Sequence, residues 1–146
     1  NALDVTTRAI AKVGAHKALG KTLQDIAADT PDIPGQFRGT LQSTAERALA
    51  VAEKIATSGN DTLARKASDA LYHITSALLL AREGAQLGAK GDDARRLILA
   101  RMVIDHRLRP QDPLAIPQDE DPMVVALLAQ RKVRLEEAQN LTEIAL

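Results

Sequence analysis

The chain has 146 residues, with 19 Lys and Arg balanced by 19 Asp and Glu, and its 45% hydrophobic content is almost entirely Ala, Leu, Ile and Val. That length favours one compact domain that buries about two thirds of its unfolded surface without a disulfide or metal staple, and the absence of Cys excludes thiolate catalysis, iron–sulfur ligation and Cys-based zinc sites. Zero net charge, with Phe37 and Tyr72 as the only aromatic residues, argues against a nucleic-acid partner and a membrane aromatic belt; no apolar run nears the roughly 20 residues that span a bilayer and no signal-peptide layout is present, so a cytoplasmic protein without membrane contact is expected.

Asn1-Ala2 open the chain without an initiator Met and read as a cloning remnant. Residues 3–146 are then expected to be a single helical-bundle domain, the C-terminal domain of a longer polypeptide. Val5, Ala9, Val13, His16, Leu19, Leu23, Ile26 and Ala27 recur mostly at three- and four-residue steps. This predicts one helix of roughly seven turns, ended by Pro31 and Pro34. Gly35 opens a second helix whose stripe is Phe37, Leu41, Ala45, Ala48, Ala52 and Ile55, broken at Ser58-Gly59-Asn60.

Asn60 or Asp61 is placed to cap a third helix, with Leu63, Ala67, Ala70, Ile74, Ala77, Leu78, Ala81 and Ala85 on one face. Gly88 and Gly91 supply the next turn. Asp92 is the expected cap of a fourth helix, where Leu97-Ile98-Leu99-Ala100 and Met102-Val103-Ile104 are apolar around most of the circumference and Arg101 is the exception. Residues 109–122 carry four prolines and read as an irregular surface connection. Asp121-Pro122 is a helix start signal, N-cap followed by Pro, for a last helix carrying Val124, Leu128, Leu135, Ala138 and Leu141.

No segment alternates with period two, so the fold class is all-α. Five helices with mostly short connections predict an antiparallel four-helix bundle with one extra or terminal helix. The apolar faces of the third and fourth helices look too broad for one partner each, which calls for a homo-oligomer or a neighbouring domain of the same polypeptide.

Candidate chemistry is sparse. The run Ala15-His16-Lys17-Ala18-Leu19-Gly20-Lys21-Thr22 resembles a phosphate-binding loop, but Ala15 stands where the first Gly is required and no strand precedes it. His16, His73 and His106 fall on three helices, yet no Glu-x-x-His pair accompanies them and no metal ligand is assigned. Asp69 and His73, four apart, share a helix face. Arg95, Arg96, Arg101, Arg107 and Arg109 with His106 make the fourth helix and its exit locally basic, either as a solvated face paired to Asp92, Asp93 and Asp105 or as a contact for a nucleotide-like ligand or acidic partner. Glu83 and the pair Glu136-Glu137 have polar neighbours that argue for solvent exposure, so no catalytic residue is assigned.

Ala70-Leu71-Tyr72-His73, the apolar run to Glu83-Gly84, Ala94-Arg95-Arg96-Leu97 with Leu99-Ala100-Arg101, and His106-Arg107-Leu108-Arg109-Pro110-Gln111-Asp112-Pro113-Leu114 together resemble the C-terminal helical region of bacterial acyl-CoA dehydrogenase-like flavoproteins. The resemblance covers about a third of the chain. It implies a parent FAD-dependent oxidoreductase that removes two hydrogens across the α,β bond of an acyl-CoA thioester, with a carboxylate base and a β domain lying outside this segment. No residue here matches the family's catalytic glutamate motif or its flavin-contacting motifs. The implied role is therefore assembly and a contribution to one wall of a cofactor or acyl-CoA site, inactive alone and without tightly bound FAD. The alternative is a self-contained helical oligomerisation or protein-interaction module with no enzymatic role.

Overall fold

The computed structural model describes residues 1–117 and 120–146; Gln118 and Asp119, within the expected proline-rich connection, lie outside the described residues. Among the described residues seven α-helices form: α1 (Ala2–Asp4), α2 (Ala15–Asp29), α3 (Gly35–Ser58), α4 (Ala64–Ala89), α5 (Arg95–Val103), α6 (Pro122–Leu128) and α7 (Leu135–Thr142). π-helical stretches at Val5–Ile10 and Ile104–Leu108 continue α1 and α5, and a 3-10 turn at Asp61–Leu63 leads into α4. Among the described residues there is no strand, as the periodicity requires. The expected count of five helices is corrected to seven, because two of the expected long helices are broken.

The first break is at Gly14. Its φ of +69° lies in the left-handed region, where an L side chain costs roughly 1–2 kcal/mol and glycine does not. The Gly14 amide donates to the Ile10 carbonyl at 2.9 Å and the Val13 amide to the Arg8 carbonyl at 3.2 Å, which closes the N-terminal helical segment. Val13, expected on the buried stripe, is 76% exposed as a result.

The second break separates α6 from α7. Ala129 and Arg134 adopt extended backbone, and the intervening Val133 is fully buried against the start of α5. Its amide donates to Asp93 Oδ1 at 3.1 Å and its carbonyl accepts from the Ala94 amide at 2.9 Å. Burying a Val side chain stabilises by roughly 1.5–3 kcal/mol; a continuous helix from Pro122 would forgo this packing and its two hydrogen bonds.

The expected Asp92 cap of α5 is also corrected: the helix starts after Ala94 without a side-chain cap. Asp93, not Asp92, accepts from the Arg95 amide, at 3.1 Å, whereas Asp92 faces Lys132 at 3.2 Å. At α4 no side chain caps the first turn; the 3-10 turn takes that place, and Asn60 Oδ1 accepts from the Thr62 hydroxyl instead. The signal at α6 is borne out: Asp121 Oδ1 accepts from the Met123 amide at 2.9 Å with Pro122 at the first helical position.

The core gathers around α4, which packs against α3, α5, α2 and α7. Phe37 and Leu41 of α3, Ile74 and Leu78 of α4, and Leu97 and Ile98 of α5 are fully buried in one cluster. A smaller cluster joins Ile10 to Ala52, Ile55, Ala67 and Leu71 at the N-terminal end. The α4–α5 hairpin is unusually close at Gly84: a Cβ there would stand 2.2 Å from the Leu97 backbone nitrogen and 2.9 Å from the Arg96 carbonyl carbon. Gly91, with φ +76°, makes the turn between the two helices, while Gly88 lies inside the last turn of α4, packed against Ala94 and Leu135.

Two arginines work inside the fold. Arg38 reaches back from α3 to the end of α2 and the following loop, donating to the carbonyls of Ala27, Ala28, Thr30, Pro31 and Ile33. The last-turn carbonyls of a helix lack intrahelical partners, so this guanidinium serves as a C-cap. Arg101, expected as the polar exception on α5, is 4% exposed. Its Nε donates to Asp105 Oδ2 at 2.8 Å and its Nη1 to the Thr142 carbonyl at 2.7 Å, tying α5 to the end of α7. The C-terminus is further held by Gln139, which donates to the Asp32 carbonyl at 2.9 Å, and by Glu143, which accepts from the Gln36 amide at 2.9 Å.

Candidate functional site

Beside the core stripes of α3 and α4, residues of both helices line a groove. It occupies about 440 Å³ and is closed at one side by the π-helical end of α5. Arg47 from α3, Arg65 and Lys66 from the first turn of α4, and Arg107 from the π-helical stretch line it, with Asp69 and His73 between them. Its apolar lining is aliphatic, made by Ala48, Val51, Ala70 and Leu108. Four cations thus surround one carboxylate in a concavity of the size that small ligands occupy.

Local structure explains why these residues meet. Arg65, Asp69 and His73 recur at four-residue steps on α4 and so lie along one face. Each turn of the π-helix takes in more residues than an α-turn, so the positions after Ile104 are rotated relative to the α5 stripe; Ile104 stays buried and Arg107 with Leu108 lines the groove. Among the described residues Arg47, Arg65, Lys66 and Arg107 form no ion pair within 4.0 Å.

The expected basic cluster is therefore divided. Arg95 pairs with Asp93 at 2.7 Å and donates to the Arg131 carbonyl at 2.8 Å. Arg96 pairs with Glu83 at 3.2 Å. Arg101 and Arg109 share Asp105, at 2.8 and 3.3 Å. Four of the five arginines thus hold the fold or pair at the surface, His106 is exposed, and Arg107 alone of the cluster reaches the groove.

The other candidates also separate. His16 is buried beside Glu53, with Nε2 3.3 Å from Oε1; His73 lines the groove and packs edge-on to Tyr72 with ring centroids 5.2 Å apart. The three histidines are not brought together, and among the described residues no group of three His, Asp or Glu could hold a metal ion. Asp69 and His73 share the groove without a hydrogen bond between them. Ala15 to Thr22 forms the first two turns of α2 directly after Gly14, with no strand before it, so it is helix and not a phosphate-binding loop.

Glu137 receives a two-point contact from Arg131, 2.8 Å at each oxygen. The Arg131 hydrogen bond outweighs partial burial and holds its carboxyl below the usual glutamate range. Burial pushes the Asp93 carboxyl up, but the amides of Val133 and Arg95 and the Arg95 charge together bring it below the usual range. Both shifts belong to structural contacts between α5, α7 and the segment before α7.

Arg47, Arg65 and Lys66 were missed from sequence because each is an ordinary solvent-side residue of its own helix. One signal was present: the first turn of α4 carries Arg65 and Lys66 and no acid, the reverse of what the helix macrodipole favours. No described helix is long and apolar enough to cross a membrane. No family model, curated protein or solved structure matches the chain.

Proposed function

We propose that the chain serves as the C-terminal helical-bundle domain of an acyl-CoA dehydrogenase-like, FAD-dependent oxidoreductase of the cytoplasm, contributing assembly and one wall of a ligand site. The observation that carries this reading is the α4–α5 hairpin. The residues that resemble the family, from Ala70 to Leu114, take in most of its two helices, the π-helical exit and the start of the connection that follows, and they include the Gly84 contact on which the hairpin depends. No residue here matches the family's glutamate-base or flavin-contacting motifs, so hydride and proton transfer are assigned to other parts of the parent polypeptide. The test is acyl-CoA-dependent dye reduction by the polypeptide that carries this segment. Turnover there, with none from residues 1–146 alone, supports the reading; absence of turnover with a range of acyl chain lengths refutes it.

A second reading, a self-contained oligomerisation or interaction module, is favoured by one observation. Leu114, Ile116, Val125 and Leu128 are 86, 91, 53 and 77% exposed, a density of solvent-facing apolar side chains unlike the rest of the chain. By contrast the broad faces of α4 and α5 are largely covered within the chain itself, leaving Tyr72, Leu79 and Leu99 outside. In either reading the exposed side chains of Leu114, Ile116, Val125 and Leu128 are the surface for a second copy or a neighbouring domain. Light scattering distinguishes the two outcomes: association of the isolated chain that Leu128→Asp abolishes supports an interface there, and a monomer at high concentration counts against self-association.

A further inference from the structure

We propose that the groove between α3, α4 and the π-helical end of α5 binds a small phosphate monoester with an aliphatic body. This rests on the groove's own chemistry and not on the flavoprotein reading. Arg47, Arg65, Lys66 and Arg107 converge on a volume of about 440 Å³ that contains one carboxylate, Asp69. A guanidinium presents paired donors in a fixed plane that match phosphate oxygens, and three of the four cations are arginines.

A second observation points the same way. Arg65 and Lys66 stand in the first turn of the 26-residue α4, where the helix macrodipole is positive and anions are favoured. Cations at that end are unfavourable for the helix by itself, and the same two features add their fields in the groove, so a bound anion relieves both. A third is the π-helical stretch Ile104–Leu108, a rare backbone departure of the kind found at functional sites, which here delivers Arg107 to the groove.

The lining also constrains the rest of the ligand. Ala48, Val51, Ala70 and Leu108 offer an aliphatic surface, and Tyr72 is 67% exposed and outside the groove. The groove has no Phe, Tyr or Trp on which a nucleobase could stack. The body that fits is a short alkyl or acyl-like chain beside a doubly charged head, with His73 as a further donor to the phosphate.

The experiment is a titration of the 146-residue chain, followed by amide chemical shifts in two-dimensional NMR, with hexyl phosphate, inorganic phosphate and hexanol as separate probes. Hexyl phosphate is expected to saturate, to move amides of residues 44–51, 65–73 and 104–108, and to bind about tenfold more tightly than inorganic phosphate, as burial of a few methylenes implies. Arg65→Gln and Arg107→Gln should each weaken it about tenfold, the loss expected for one charge-assisted contact, and Lys90→Gln at the opposite end of α4 should leave it unchanged. All three positions are solvent-facing and the spectra report folding directly. Shifts scattered over surface lysines, equal affinity in Arg107→Gln and the parent chain, or equal affinity for hexyl and inorganic phosphate would each overturn the proposal.

Discussion

Gly84→Ala should destabilise the fold although it replaces glycine by the best helix former. At an exposed helical site that exchange stabilises by about 1 kcal/mol. At Gly84 the new Cβ would lie 2.2 Å from the Leu97 nitrogen, and ordinary contact begins at 3.4 Å, so α5 must retreat by about 1.2 Å. The neighbouring atoms are backbone and cannot rotate aside. Leu97 and Ile98, both fully buried, would lose contact with α4 along the whole hairpin.

Overpacking of this kind costs about 3 kcal/mol at the upper end of its usual range, and the helix-propensity gain offsets about 1. The net loss is about 2 kcal/mol, or roughly 6 °C in Tm for a domain of this size. Gly39→Ala is the matched control: Gly39 lies in α3 with nothing within 4 Å of its Cβ position, and should gain up to about 1 kcal/mol. Urea unfolding followed by circular dichroism measures both. Stabilisation of Gly84→Ala equal to that of Gly39→Ala would refute the close hairpin contact.

Arg101→Leu should cost about 2 kcal/mol by leaving the Thr142 carbonyl without its donor and Asp105 with Arg109 alone, with the loss of α7 protection read by hydrogen exchange. Arg38→Ala should cost a similar amount, about 1.5–3 kcal/mol, and release the loop at Pro31 and Ile33 that its guanidinium organises, visible as increased proteolysis there. Asp93 and Glu137 titrate below their ordinary values of 3.8 and 4.5, so their stabilising contribution is complete above those values and is lost as pH falls through the lower folded ones. Tm should therefore be insensitive to these groups at neutral pH and fall below about pH 4, and Asp93→Asn should flatten that acid slope.

The helix interiors were legible because burial enforces a strict period: the stripe from Phe37 to Ile55, and Ala67, Ile74, Ala77, Leu78, Ala81 and Ala85 of α4, are buried where the 3.6-residue repeat puts them. The breaks were not. The expected stripe carries smoothly from Ala9 through Val13 to His16, and only the left-handed backbone of Gly14 shows that the chain turns there. Val133 stands two residues before Leu135 and so off the stripe expected for a continuous last helix, and its burial against the start of α5 is fixed by Asp93, forty positions earlier.

The groove was legible only in fragments. Asp69, His73 and Arg107 stood out by local chemistry, but Arg47, Arg65 and Lys66 gain meaning only from the packing of α3 beside α4. Conversely, most of the basic cluster was absorbed by the fold, since Arg95 and Arg101 spend their donors on carbonyls and carboxylates that packing leaves without other partners. A one-dimensional charge cluster cannot distinguish a guanidinium that holds a helix end from one that waits for a ligand.

The most direct measurement of the functional reading is the visible absorbance of the polypeptide that carries this segment, purified without added cofactor. A flavin spectrum, bleached on addition of an acyl-CoA, is the result predicted for an acyl-CoA dehydrogenase-like parent. A colourless polypeptide that takes up no FAD would contradict it and leave the helical interaction module as the account of this chain.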